Sequence, residues 1–234
     1  MQNTTGSPNR VFGLLVLSLI LVCFSSVASA QGGWGAPETN YYIGYYGNAN
    51  TAGFPDAQLN IVNPGSTGGY TKTDFKAPIG DLCANIYVFT SDQEMVECCS
   101  CFVSPNGMIQ LSLNLNLTAN PLANPAIVPL PVAGALKVVS SSPFANDTCT
   151  ESLTGGEGTF TLDVAATSYG PFGSLRGAIT HVRQTTSTLF TTTETSMHQA
   201  DLSVSELGKL QSQCYFLQNT GSGHGRCTCG GAPI

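Results

Sequence analysis

C-A-N-I-Y-V-F-T (83–90), S-D-Q-E (91–94) and M-V-E-C-C-S-C-F-V (95–103) read as two strands joined by a polar turn. Val, Ile, Tyr and Phe suit a pleated, half-buried surface, and Ser and Asp suit the reversal between them. Folding this hairpin about Asp92 sets Cys83 opposite Cys101. Opposed strand residues hold their Cβ atoms about 4.5–5.5 Å apart, close to what a disulfide spans, so a Cys83–Cys101 bridge is expected. Cys98 and Cys99 are consecutive on one strand. Their side chains leave opposite faces, which forces them to different partners.

Outward from the hairpin the chain continues as short strands separated by turns. Ala57–Val62 precedes N-P-G (63–65), and P-N-G (105–107) follows the hairpin. Ile109, Leu111, Leu113, Leu115 and Leu117 then alternate with Gln110, Ser112, Asn114, Asn116 and Thr118. That period of two predicts a strand over 109–118 with one buried and one wet face. Pro121, Pro125, Pro129 and Pro131 make the next stretch an extended connection. Further strands are expected at Ala135–Ser140, Thr159–Val164, Leu175–Arg183 and 185–193. The pattern implies a mainly β fold, an antiparallel β-sandwich of Ig-like type. The Gly- and Tyr-rich residues 31–56 are expected as a partly ordered N-terminal segment, with a short strand or an aromatic arm packed on the domain as the other readings of its Tyr pairs. Residues 57–234 form one domain. Its last element differs in kind: Ser203 and Glu206 make a capping box, and Leu207, Leu210, Cys214 and Leu217 share one helical face. A helix over 204–218 follows, stopped by Asn219 and Gly221, and a cysteine-bearing tail doubles back from it.

The first thirty residues have another purpose. Arg10 precedes an apolar run, Val11 to Phe24, and Ala28 and Ala30 occupy the small positions of a cleavage site before Gln31. This order marks residues 1–30 as a secretory signal peptide, too short in its apolar part for a membrane span. Its removal leaves 204 residues carrying seven basic and fourteen acidic side chains. A net charge of −7 argues against nucleic acid and anionic membranes as partners. Only 9 % of the chain is charged, so Thr, Ser, Asn, Gln and Gly supply its polar surface.

Loss of Cys23 leaves Cys83, Cys98, Cys99, Cys101, Cys149, Cys214, Cys227 and Cys229. An even set in an exported chain reads as a disulfide framework. Beyond Cys83–Cys101, one of Cys98 and Cys99 is expected to join Cys149. The other would reach the terminal C-T-C (227–229), with Cys214 closing on the remaining terminal cysteine. The competing reading is a metal–thiolate site built from C-C-x-C, C-x-C and His224.

Motifs for chemistry are sparse. G-x-S-x-G, H-E-x-x-H and calcium-loop patterns do not occur, and G-S-T-G-G-Y-T-K (65–72) lacks the ending of a phosphate loop. His181 shares a strand face with Arg183, and His224 sits in a Gly-rich tail expected to be loose. His198, near Glu194 and Asp201, is the one histidine placed for acid–base chemistry. A secreted hydrolase using His198 and Asp201, or paired carboxylates, is therefore the enzymatic alternative. Asn116 and Asn146 head glycosylation sequons.

The stretch 83–101, together with L-S-V-S-E-L-G-K-L-Q-S-Q-C-Y-F-L-Q-N-T-G-S-G-H-G-R-C-T-C (202–229), resembles an uncharacterised family of exported, cysteine-rich bacterial proteins. The resemblance covers most of the chain after residue 30 and implies no activity, cofactor or site residue. The leading expectation is a non-enzymatic extracytoplasmic domain, secreted or periplasmic, structural or binding a protein or carbohydrate at the cell surface. No cofactor is called for.

Overall fold

The computed structural model describes residues 41–65, 80–123, 128–141, 149 and 175–230. The expected signal peptide, the strand expected at Thr159–Val164, most of the 65–72 loop and the Asn146 sequon lie outside these residues.

Two antiparallel sheets and one helix make up the described structure. Strands β1 (Tyr41–Gly47), β3 (Leu82–Thr90), β4 (Met95–Val103), β6 (Ala133–Ser141) and β9 (His198–Gln199) form the first sheet, in the order β4-β3-β6-β1-β9. Strands β2 (Gln58–Val62), β5 (Met108–Ser112), β7 (Arg176–Gln184) and β8 (Phe190–Ser196) form the second, in the order β5-β2-β7-β8. Between the sheets lies one core: Tyr42, Tyr46, Ile86, Val88, Leu136 and Val138 of the first meet Leu59, Ile61, Leu111 and Ile179 of the second. Gly44 allows the closest approach, because a Cβ there would sit 2.3 Å from the Ile179 side chain. On the other face of the first sheet, helix α1 (Val204–Asn219) buries Leu210, Cys214 and Leu217 against Tyr41, Tyr87, Phe89 and Val139.

The helix is built as its sequence predicts. The Ser203 hydroxyl accepts from the Glu206 N–H at 3.0 Å and caps the first turn. Glu206 does not return to the cap, as a capping box would have it. Its carboxylate instead accepts from Lys137 Nζ at 2.6 Å, tying the helix start to β6.

Three expectations are decided by the structure, two of them as corrections. First, of the readings open for the Tyr-rich segment the strand is the one observed: it supplies β1, an interior strand that pairs with β6 along its whole length. Tyr41 and Tyr42 face opposite sides, so each sheet face receives an aromatic anchor. Second, the strand expected over 109–118 stops at Ser112, and Leu113–Leu117 coil into a single π-helical turn. The polar members of the alternating run capture backbone groups that a ladder would have used. Asn116 Oδ1 accepts from the Ser112 N–H, Ser112 Oγ accepts from the Leu115 N–H, and Asp56 accepts from both the Ser112 hydroxyl and the Asn114 N–H. Leu113 and Leu117 still reach the core, while Leu115 is left in solvent. Third, the strand expected over 185–193 begins only at Phe190, since Thr185 to Leu189 form the turn between β7 and β8.

Gly134 marks the tightest backbone contact in the first sheet. A Cβ on it would fall 1.8 Å from the Phe89 carbonyl oxygen, inside the β3–β6 ladder. Gly134→Ala is expected to cost about 3 kcal/mol or more, as overpacking against unyielding backbone does. A lowered urea midpoint at unchanged disulfide content checks this.

Candidate functional site

Four disulfides join all eight described cysteines, and their pairing follows from one extra residue. Near the hairpin turn, Phe89 faces Met95, as symmetry about Asp92 requires. The register then slips between Val88 and Phe89, Val88 faces Glu97, and Val96 is the bulged residue. Every pair beyond is displaced by one: Ala84 faces Cys101, and Cys83 faces Phe102. A one-residue shift reverses which face a side chain meets, so the expected Cys83–Cys101 bridge cannot form. Cys83 instead joins Cys149. Cys98 joins Cys214 on the helix, Cys99 joins Cys227, and Cys101 joins Cys229. The expected links from Cys98 or Cys99 to Cys149, and from Cys214 to the tail, are likewise overturned. Only the link from this pair to the terminal C-T-C stands, through Cys99. Cys98 and Cys99 do diverge to opposite faces, one toward the helix and one toward the inter-sheet core.

The tail runs beside β4 in parallel. The Cys98 N–H donates to the Gly225 carbonyl at 3.1 Å, and the Cys227 N–H donates back to Cys98 at 3.3 Å. Asn120 holds this segment at several points: its carbonyl accepts from the Gly225 N–H at 2.7 Å, and its side-chain amide donates to the Gly223 and Arg226 carbonyls. His224 is therefore not loose, because its Nδ1 lies 2.7 Å from Asn120 Oδ1. The Sγ atoms of Cys99, Cys101 and Cys229 gather within 4.8 Å. Each of them is already bonded to another sulfur, whereas a metal requires thiolates. Asn116, the first sequon residue, spends both side-chain atoms internally, on the Ser112 N–H and the Thr228 hydroxyl.

Under the tail lies a buried acid that sequence reading passed over. Glu97 is completely buried and points to the inter-sheet side of β4, with Cys99 and Cys101. One oxygen accepts from the Asn120 N–H at 2.8 Å, and the other has no hydrogen-bond partner among the described residues. Burial raises its pKa to about 8, and the Asn120 N–H opposes this only in part. Nearby, the Tyr46 hydroxyl donates to the Phe89 carbonyl at 3.1 Å, and burial together with the Glu97 charge keeps that phenol protonated. The hint in sequence is a glutamate inside a strand with no other charged residue.

The acid–base cluster expected around His198 is not assembled. His198 lies exposed on β9, paired through its backbone with Ile43. Glu194 belongs to the other sheet and accepts from Asn60 Nδ2 at 2.9 Å, while Asp201 is exposed. Among the described residues no hydrogen bond joins these three side chains.

A different histidine is organised. On β7, His181 and Arg183 continue the face of buried Ile179, and Thr191, Thr193 and Thr195 of β8 lie beside them on that same face. β9 covers β1 only at Tyr42 and Ile43, so this face emerges from the core beside the uncovered end of β1. There Tyr45, 63 % exposed, lays its ring on the His181 imidazole with centroids 4.3 Å apart and planes inclined by 24°. His181 Nε2 lies 2.6 Å from the Thr195 hydroxyl, which fixes the imidazole plane. Partial burial lowers the His181 pKa, so the ring stays neutral at physiological pH. The result is a ledge of one exposed aromatic face bordered by hydroxyls and one guanidinium.

No protein-family model matches the chain, nor does any curated protein or solved structure. Four disulfides are compatible with an extracytoplasmic protein, and among the described residues no helix is long and apolar enough to cross a membrane.

The buried acid carries a pH prediction. The unfolded chain releases the Glu97 proton near 4.5, whereas the folded protein retains it to about 8. The stability contribution is thus complete below 4.5 and is lost as pH rises toward and through 8. Thermal unfolding followed from pH 5 to 9 should show a falling midpoint, and Glu97→Gln should flatten that fall and be the more stable form at pH 9.

Proposed function

We propose that the protein is an exported, non-enzymatic binding domain whose ledge at Tyr45 and His181 takes a neutral carbohydrate. The exposed, stacked Tyr45 carries the reading. A large aromatic ring held rigidly at the surface, backed by a second ring and fringed by hydroxyls, suits a ligand with one C–H-rich face and an equatorial rim of hydroxyls. A pyranose has that form: its axial hydrogens pack against the electron-rich ring face while Thr hydroxyls exchange hydrogen bonds with its rim. The acidic, lightly charged surface disfavours polyanions, which points to an uncharged glycan. Stacking and hydroxyl contacts explain binding without any step of bond cleavage. The resemblance to exported, cysteine-rich bacterial proteins agrees with a place outside the cytoplasm, secreted or periplasmic, reached by way of the signal peptide.

Affinity electrophoresis through gels containing soluble neutral polysaccharides tests the reading. Retardation by at least one polymer is expected, with Tyr45→Ala weakening it about tenfold, in line with a lost stacking contact of order 1 kcal/mol. His198→Ala should leave retardation unchanged. Because burial holds the His181 pKa below its ordinary value, affinity should stay level from pH 7.5 to 8.5. Migration of Tyr45→Ala identical to the parent in every retarding gel would remove the ledge from the binding surface.

A further inference from the structure

The four sheet edges are treated unequally. The outer side of β4 is occupied by the tail through Cys98, Gly225 and Cys227. β9 is two residues long, and β5 spans five residues with Gly230 against the Gln110 carbonyl, where a Cβ would lie 3.1 Å from the oxygen. β8 differs from all of these. It runs seven residues, pairs with β7 in unbroken register, and has no strand on its outer side among the described residues. Phe190 to Ser196 contain no Lys, Arg or Pro, the devices that usually blunt an edge.

We propose that β8 pairs with β8 of a second copy, antiparallel about Thr193, to join the two four-stranded sheets into one of eight strands. The backbone polarity of β8 sets the register. The Thr185 N–H donates to Leu189 and the Met197 N–H donates to Gly177, so the hydrogen-bonded pairs of the β7–β8 ladder fall on odd residues of β8. Thr192, Glu194 and Ser196 therefore turn their N–H and C=O groups to the free side. A two-fold axis through Thr193 sets Thr192 against Glu194 and Phe190 against Ser196, and it pairs all seven residues. Thr191 then faces Thr195, giving the Thr–Thr contacts that favour adjacent strands. Sliding the pair to centre on Glu194 would oppose two carboxylates and shorten the overlap, so charge selects the same register. Leu189, 57 % exposed at the end of the β7–β8 turn, comes level with Met197 of the second copy.

An interface of one strand edge is small, so the assembly should be concentration-dependent. Sedimentation of the oxidised protein from 1 to 200 µM should show a shift from one to two chain masses. Thr192→Pro deletes a donor that faces only the free side and should hold the protein monomeric across that range. Should that variant fail to fold, Thr193→Cys gives an independent reading. It should form a covalent dimer on mild oxidation, because Thr193 meets its own copy, whereas Thr191→Cys should not. Tyr45→Ala should dimerise normally, which separates this association from carbohydrate binding. A single chain mass at 200 µM, or equal cross-linking through positions 191 and 193, would overturn the proposal.

Discussion

β4 is the strand on which the molecule is assembled. Three of its nine residues are cysteines, and each ties down a different piece of chain: Cys98 the helix, Cys99 and Cys101 the terminal tail. The bridges close loops of 116 to 128 residues. In the chain-entropy picture each would add about 4–5 kcal/mol if formed alone, and less when the others are already in place. The consequence is also geometric. An edge strand normally exposes a row of unpaired backbone groups; here the tail takes both backbone groups of Cys98 at the middle of that row and is covalently held there.

The Val96 bulge is what makes those connections available. Without it, Cys83 would share a face with Cys101, and the hairpin would close on itself. With it, Cys101 turns to the tail and Cys83 to Cys149. The same irregularity lies beside Glu97, whose buried carboxyl receives the Asn120 N–H while Asn120 holds residues 223–226. Covalent and polar attachment of the tail therefore converge on one end of β4. The titration of Glu97 is a cost carried inside that junction rather than a sign of chemistry.

The second sheet has the opposite character. Its outer face carries a row of side-chain amides, with Gln110 bonded to Gln58 and Asn60, and Asn60 to Glu194. At its β7–β8 end, His181 and the Thr side chains of β8 meet Tyr45, which the first sheet supplies. Disulfides are concentrated at β4 and exposed polar side chains at β8. That division is compatible with the carbohydrate-binding reading proposed above.

Much of this plan could be read directly from the chain. The hairpin at 83–103, the helix after Ser203, the divergence of Cys98 and Cys99 and the mainly β architecture all follow from local chemistry: strand-forming residues, a cap, and side-chain alternation. Long-range pairing decided the rest. Residues 113–117 alternate like a strand, yet Asp56 and Ser112 bond their backbone into a turn. The Tyr-rich segment has too much glycine to look like core until β6 and β9 flank it. His198 has acidic neighbours in sequence but not in space, while His181, unremarkable in sequence, meets Tyr45 from another sheet. Sequence determines which residues want burial, capping or oxidation, because those preferences belong to the residue and its nearest neighbours. Register, disulfide partners and the surface ledge depend on one bulge and on strands brought together from more than a hundred residues apart, and only the folded chain decides them.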